Sequence, residues 1–384
     1  SPSSIWTFVY TQQVYRGDGT FFALTSPARI ADDRIGLGGR TTPLGAGETW
    51  RIEVAGRAGI PVTATAVSVN LTAVGGPVGG WLALYPAGGT VPGVSSVNFG
   101  NHGQIVPNHL IVPLGVDGSL DLHNGVADPV SAILDIDGYV SGDDLPGGLL
   151  YSGITPRRNV DMRTSGTTIA AGETVSIAVT TAAGLPYPAG YVIDANVTIT
   201  NQAAGGYATV FNGDAASTAA STHNWSGPRV DTANRVTVRT GTGGAIKVTN
   251  GSAGTIQVIV DLFGYFQPYF GYRFAATTPT RVLDTRSTTP LPSSDARVLD
   301  AQGWLIPQPV FVVGNLTGTA PSSTTYFQLW DGPTKPAVSN LNLGAGETRA
   351  NSFVQALPTN GQLNLANAFG TTHAIIDVAG YFNP

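Results

Sequence analysis

Val67-Ser68-Val69-Asn70-Leu71-Thr72 alternates apolar and polar side chains, the period of a β-strand with one buried face. The pattern returns twice. Asn196 and Asn315, like Asn70, follow a β-rich run and precede an aliphatic residue and Thr. Each stands eleven positions before an aromatic residue: Trp81, Tyr207 and Tyr326. Ala245-Ile246-Lys247-Val248-Thr249 alternates in the same way.

Outward from this strand, four more signatures keep one order in every copy. P-x-R-x-x-D-x-R opens each copy, at Pro27, Arg29, Asp32 and Arg34, at Pro156, Arg158, Asp161 and Arg163, and at Pro279, Arg281, Asp284 and Arg286. S-x-x-N comes next, at Ser95 and Asn98, Ser221 and Asn224, Ser339 and Asn342, followed by Asn108, Asn234 and Asn351. G-x-[LI]-x-[LV]-x-N then ends at Asn124, Asn250 and Asn367. D-x-x-G-Y closes the copies at Asp135 and Tyr139, Asp261 and Tyr265, Asp377 and Tyr381.

Gly and Asn at fixed ends read as hairpin corners, because both tolerate a left-handed backbone, whereas Asn70, Asn196 and Asn315, inside a strand pattern, read as hydrogen-bonding residues. The expectation is an all-β chain of three tandem β-sandwich (jelly-roll-like) domains with about eight to ten strands each. Repetition at this period is the mark of a repeat architecture. The predicted boundaries are 21–146, 147–272 and 273–384, preceded by an extension at 1–20. Residues 141–148 read as a polar linker, whereas the aromatic stretch 267–274 suggests that the second and third copies pack together. The extension holds Trp6, Phe8 and Tyr10, an unmatched strand that needs a partner sheet and is a candidate assembly strand.

Composition agrees with many strands joined by tight turns: 50 glycines and 26 prolines among 384 residues, with 11% charged. A formal net charge of −5 and scattered Lys and Arg argue against nucleic-acid binding. Cysteine is absent, which excludes disulfides and thiolate chemistry. No apolar run reaches the roughly 20 residues of a membrane helix, so no membrane insertion is expected; Asp261 interrupts the run 256–263. The chain begins at Ser1 rather than Met, from which a removed leader or propeptide, or trimming, is expected.

Arg281-Val282-Leu283-Asp284-Thr285-Arg286 and Asp377-Val378-Ala379-Gly380-Tyr381-Phe382 resemble a repeat of secreted and surface proteins of actinobacteria. Its copies open with R-[LI]-L-D-T-R and close with D-V-x-G-Y-F. Trp81-Leu82-Ala83-Leu84-Tyr85-Pro86-Ala87-Gly88 is similar to the family's LTVYPAG segment, and the resemblance spans residues 21–384. Asp33 and Met162 depart from it where Thr is usual. The resemblance implies an extracellular location, secreted or at the cell surface. Similar repeats occur in tail proteins of phages that infect such bacteria, so a virion location is open too. It implies no chemistry.

The repeated Arg and Asp have two readings: a buried network tying the first strand of each copy to the last, or a ligand site with bidentate Arg contacts. The aromatics Trp81 and Tyr85, Tyr207 and Phe211, and Tyr326 and Trp330 share a strand face at i and i+4. They are either core, or, with Trp81, Tyr207 and Trp330 exposed, a carbohydrate platform. None of His102, His109, His123, His223 and His373 recurs in all three copies, and no hydrolase, metalloprotease or phosphate-loop motif is present. Asp194 and Asp214 do not recur either, Arg16-Gly17-Asp18 and Asp117-Gly118 read as turns, and no metal or cofactor is expected.

The function expected is a non-catalytic structural component of an extracellular assembly. It would be a rod of three domains that meets copies of itself or other surface or virion proteins. The alternative is a glycan- or host-binding module.

Overall fold

The computed structural model describes residues 19–75, 78–100, 103–142, 145–179, 190–216, 218, 220–228, 231–293, 296–305 and 309–384. The candidate assembly strand with Trp6, Phe8 and Tyr10, the Arg16-Gly17-Asp18 tripeptide and His102 lie outside these residues.

The fold is all-β. The first run of strands is β1 (Thr20–Asp32), β2 (Thr49–Glu53), β3 (Ala64–Val74), β4 (Gly80–Pro86), β5 (Val97–Phe99), β6 (Ile105–Pro113), β7 (Ser119–Asn124) and β8 (Ser131–Ser141). The second is β9 (Leu150–Asp161), β10 (Thr174–Ala178), β11 (Val192–Thr200), β12 (Gly206–Asn212), β13 (His223–Trp225), β14 (Thr232–Arg239), β15 (Ala245–Asn250) and β16 (Gln257–Gln267). The third is β17 (Arg273–Asp284), β18 (Ala296–Asp300), β19 (Phe311–Thr319), β20 (Thr325–Asp331), β21 (Leu341–Leu343), β22 (Arg349–Ala356), β23 (Gln362–Asn367) and β24 (His373–Asn383).

Each run makes two antiparallel four-stranded sheets of one design. In the first run the orders are β1-β8-β3-β6 and β2-β7-β4-β5, and the second and third runs repeat both. The six sheets form a propeller-like ring. A separate apolar cluster fills the space between the paired sheets of each run, with Val67, Val69 and Leu71 of β3 facing Leu82 and Leu84 of β4 in the first.

The strand that opens the sequence reading departs from its expected environment. Ser68, Asn70 and Thr72 alternate with the core residues yet are themselves buried. In the β1-type sheets the strands β3 and β6, β11 and β14, and β19 and β22 are covered on both faces, by their own partner sheet and by the neighbouring repeats. The one-faced pattern is kept in β2, where Thr49, Arg51 and Glu53 are exposed and Trp50 and Ile52 buried.

The ring closes at the starts of the first strands. Gly19 pairs with Phe274, Phe21 with Leu149, and Tyr151 with Tyr272, so each run is hydrogen-bonded to the other two. Phe21, Tyr151, Phe274, Phe266 and Phe382 join a fourth apolar cluster drawn from all three runs. Tyr151 and Phe382 stack at 4.5 Å between ring centres. A rod of domains is therefore replaced by a closed ring: both joints are clamped, the polar one at 141–148 as well as the aromatic one.

Two motif residues owe their identity to this packing. A Cβ on Gly138, Gly264 or Gly380 of D-x-x-G-Y would lie 2.3 Å from Phe21 Cζ, 2.4 Å from the Tyr151 hydroxyl or 2.7 Å from Phe274 Cε2. Pro27 and Pro279 of P-x-R sit where the first strand slips register against the last, a place that tolerates a missing N–H.

Candidate functional site at the junctions between repeats

Six of the repeated asparagines are not corners. Asn70, Asn196 and Asn315 lie inside β3, β11 and β19, while Asn108, Asn234 and Asn351 lie inside β6, β14 and β22. A buried carboxamide needs partners, and here they belong to the adjacent run. Asn234 Nδ2 donates to Asn70 Oδ1 at 2.9 Å, Asn351 Nδ2 to Asn196 Oδ1 at 2.8 Å, and Asn108 Nδ2 to Asn315 Oδ1 at 2.9 Å. The backbone N–H groups of His109, Arg235 and Ser352 donate to Asn234, Asn351 and Asn108 Oδ1 at 3.0–3.2 Å. Asn70, Asn196 and Asn315 in turn donate to the carbonyls of Ser221, Ser339 and Ser95. The three junctions repeat one another bond for bond.

S-x-x-N braces the same segment, since Ser95, Ser221 and Ser339 hydroxyls donate to Asn98, Asn224 and Asn342. The turn reading holds at Asn124, whose Nδ2 reaches the carbonyls of Leu44, Gly45 and Asp128. The strand pattern around Asn70, Asn196 and Asn315 already separates them from corner residues and points to hydrogen-bonding roles; what it does not show is that their partners lie in the adjacent run.

The Arg and Asp residues form the network that the first reading describes. Arg29 grips Asp135 with two bonds of 2.8 and 3.2 Å, tying β1 to β8, and also reaches Asp32 at 3.1 Å. Arg34 reaches Asp32 at 2.8 Å. Arg158, Asp261, Asp161 and Arg163 repeat the arrangement, as do Arg281, Asp377, Asp284 and Arg286. Burial pushes the Asp135, Asp261 and Asp377 carboxyls up, against the pull of their arginines. The outer carboxylates move the other way: Arg34 and Arg163 hold Asp32 and Asp161 down, and Arg286 brings Asp284 to about 2. Of the motif tyrosines, Tyr139 is half-buried and stacks on Phe22, Tyr265 is buried edge-on to Tyr191, and Tyr381 is half-buried.

The aromatic pairs divide. Tyr85, Phe211 and Trp330 are buried, and none belongs to the apolar cluster between its own paired sheets. Trp330, 4% exposed, carries the Lys335 ammonium over its ring at 5.9 Å and is no open platform. Trp81 is half-buried near His123, and Tyr207 is 46% exposed. Tyr326 is half-buried beside the 57% exposed Phe369 at 6.0 Å.

Two clefts open at the junctions. One of about 700 Å³ is lined by Arg158, Arg163 and Thr198 of the second run and by Tyr326, Ser339 and Asn342 of the third. The other, about 280 Å³, is lined by the matching Arg281, Arg286 and Thr317 of the third run and Trp81, Ser95 and Asn98 of the first.

Sequence reasoning missed a Ser-His-Asp trio. Ser68 Oγ and Asp137 Oδ2 each lie 2.9 Å from His109. Both contact Nε2, so the imidazole cannot take a proton from serine on one nitrogen while the carboxylate orients the other. The adjoining cavity is about 30 Å³, room for little more than water. Asp194 is buried between Arg235 and the Tyr151 hydroxyl, and Asp214 caps a turn through Thr242. Asp117 accepts from the Ser119 amide, and buried Trp225 donates to the Ala204 carbonyl. Among the described residues, no group of three His, Cys, Asp or Glu could hold a metal, and no helix is long and apolar enough to cross a membrane.

No family model matches the chain, and no curated protein matches it. Among solved structures it is similar to one described as "The Triple Jelly Roll Fold and Turret Assembly in an Archaeal Virus", at 10% identity over 96% of this chain and 91% of that one, with a TM-score of 0.20. Another, "Life in the extremes: atomic structure of Sulfolobus Turreted Icosahedral Virus", matches at 10% identity over 89% and 84%, with a TM-score of 0.19. Superpositions this loose carry no argument about role.

Proposed function

We propose that the chain is a non-catalytic structural component of an extracellular, cell-surface or virion assembly, built from three tandem jelly-roll domains closed into one pseudo-threefold unit. The sheet order supports the jelly-roll reading, since eight strands in two facing sheets define that architecture. One observation carries the functional reading: the asparagines, Arg-Asp pairs and glycines repeated in all three copies are used to join strands and repeats. The asparagines clamp the junctions, the Arg-Asp pairs fasten first strand to last, and the glycines admit the central aromatic rings. The Ser68-His109-Asp137 geometry offers no relay, which favours a non-enzyme.

The partners under this reading are copies of the chain or other surface or virion proteins. Negative-stain electron microscopy of the native protein, with mass measured by light scattering, tests it. Filaments, rings or other regular particles are the expected result. Isolated monomers at all concentrations would overturn the assembly role and favour a binding module.

A further inference from the structure

We propose that the junction clefts bind neutral saccharides, with the cleft between the second and third runs as the principal site. Its volume of about 700 Å³ falls in the range of small-molecule sites. The proposal does not depend on assembly.

The first support is a pair of orphaned hydroxyls. Thr198 and Thr317 line the two clefts at equivalent positions, two residues beyond the clamping Asn196 and Asn315. Both are buried, and among the described residues neither Oγ1 has a hydrogen-bond partner. Buried hydroxyls are nearly always paired. The same unpaired group recurs in the walls of two clefts at matching points, and a turn about χ1 would present it to a ligand hydroxyl.

The second support is chemical. Tyr326 and Phe369 form an aromatic corner at the larger cleft, and Trp81 stands in the place of Tyr326 at the smaller. An open ring face suits the C–H face of a pyranose, while Asn342 and the exposed Asp231 supply polar groups for its hydroxyls. Charge selects the class. Arg158 is held by Asp261 and Asp161, and Arg163 by Asp161, so neither guanidinium brings a spare positive charge for an acidic sugar.

The third support is internal repetition. The junction bonds need the asparagines, not Thr198 or Tyr326. Yet Thr recurs at 72, 198 and 317, and an aromatic at 81, 207 and 326.

The full-length chain should be applied to an array of neutral hexose, N-acetylhexosamine and deoxyhexose oligosaccharides printed beside sialylated, uronic and sulfated ones. Calorimetry on the best neutral hit would then compare Phe369→Ala and Thr198→Val with the parent chain. The expected result is neutral glycan binding that each substitution weakens about tenfold, with thermal unfolding and particle morphology retained. Thr198→Val is near-isosteric and removes an unpaired hydroxyl, so a purely structural role predicts unchanged binding. The inference is overturned by no neutral binding, by preference for acidic glycans, or by affinity unchanged in both variants.

Discussion

Replacing Asn351 with Ala tests the junction clamp. The side chain donates to Asn196 Oδ1 at 2.8 Å and to the Asn340 carbonyl at 2.6 Å, and accepts from the Arg235 amide at 3.0 Å. All three groups are buried in the intact protein. Each polar group left without a partner costs about 1–3 kcal/mol, and partial relaxation sets the sum at about 3–5 kcal/mol. Asn364 is the control, because its carboxamide makes one exposed bond to the Gly332 carbonyl at 3.0 Å, and its loss costs about 0.5 kcal/mol or less. Urea unfolding followed by circular dichroism gives the comparison as a shift of midpoint at constant slope. Asn108→Ala and Asn234→Ala remove equivalent bonds and are expected to match Asn351→Ala within about 1 kcal/mol. If Asn351→Ala behaves like Asn364→Ala, the claim that these asparagines hold the ring is refuted.

Arg281→Met strands the buried Asp377 carboxylate and is expected to cost about 3–5 kcal/mol, whereas Arg286→Met, at a half-exposed pair, costs about 0–1 kcal/mol in the same assay. The Arg281→Met deficit should shrink in acid as Asp377 takes up a proton. His223 gives a second pH dependence. Burial lowers its pKa from 6.5 to about 4, while Nε2 donates to the Val197 carbonyl at 2.9 Å. The unfolded chain therefore binds the extra proton between about pH 6.5 and 4, so stability is full above that window and falls through it by up to about 3 kcal/mol. His223→Gln should flatten this part of the profile in urea titrations from pH 7 to 4; an unaltered slope would show that His223 is not its source.

The strand content and the repeat were legible because alternation and turn residues are local properties. The Arg-Asp network was legible too, because both ends of each copy carry its parts at fixed spacing. The ring was not. Ser68, Asn70 and Thr72 look like the wet face of a strand, since alternation records polarity and not what covers a polar face. The aromatic pairs stayed open for a related reason: a shared strand face does not decide exposure, and Tyr85, Phe211 and Trp330 are buried outside their sandwich cores while Tyr207 is exposed. The closing contacts Gly19 to Phe274 and Phe21 to Leu149 join backbone groups far apart in sequence, which no side-chain pattern encodes.

Each repeat carries both halves of the junction: the Asn196 half faces the third run, and the Asn234 half faces the first. Such head-to-tail contacts close after three units, so the chain has the logic of a homotrimer whose subunits have been fused. Fusion replaces bulk concentration with a tethered one, which keeps the ring closed at any dilution. It also frees the copies to differ. The first run places Ser68 against His109, the second Asp194 against Arg235, and the third Val313 and Ser352 at the same places. Three unlike sectors give a ring with a defined rotational setting, so a neighbour can meet one sector and not the others, a choice that three identical subunits could not offer.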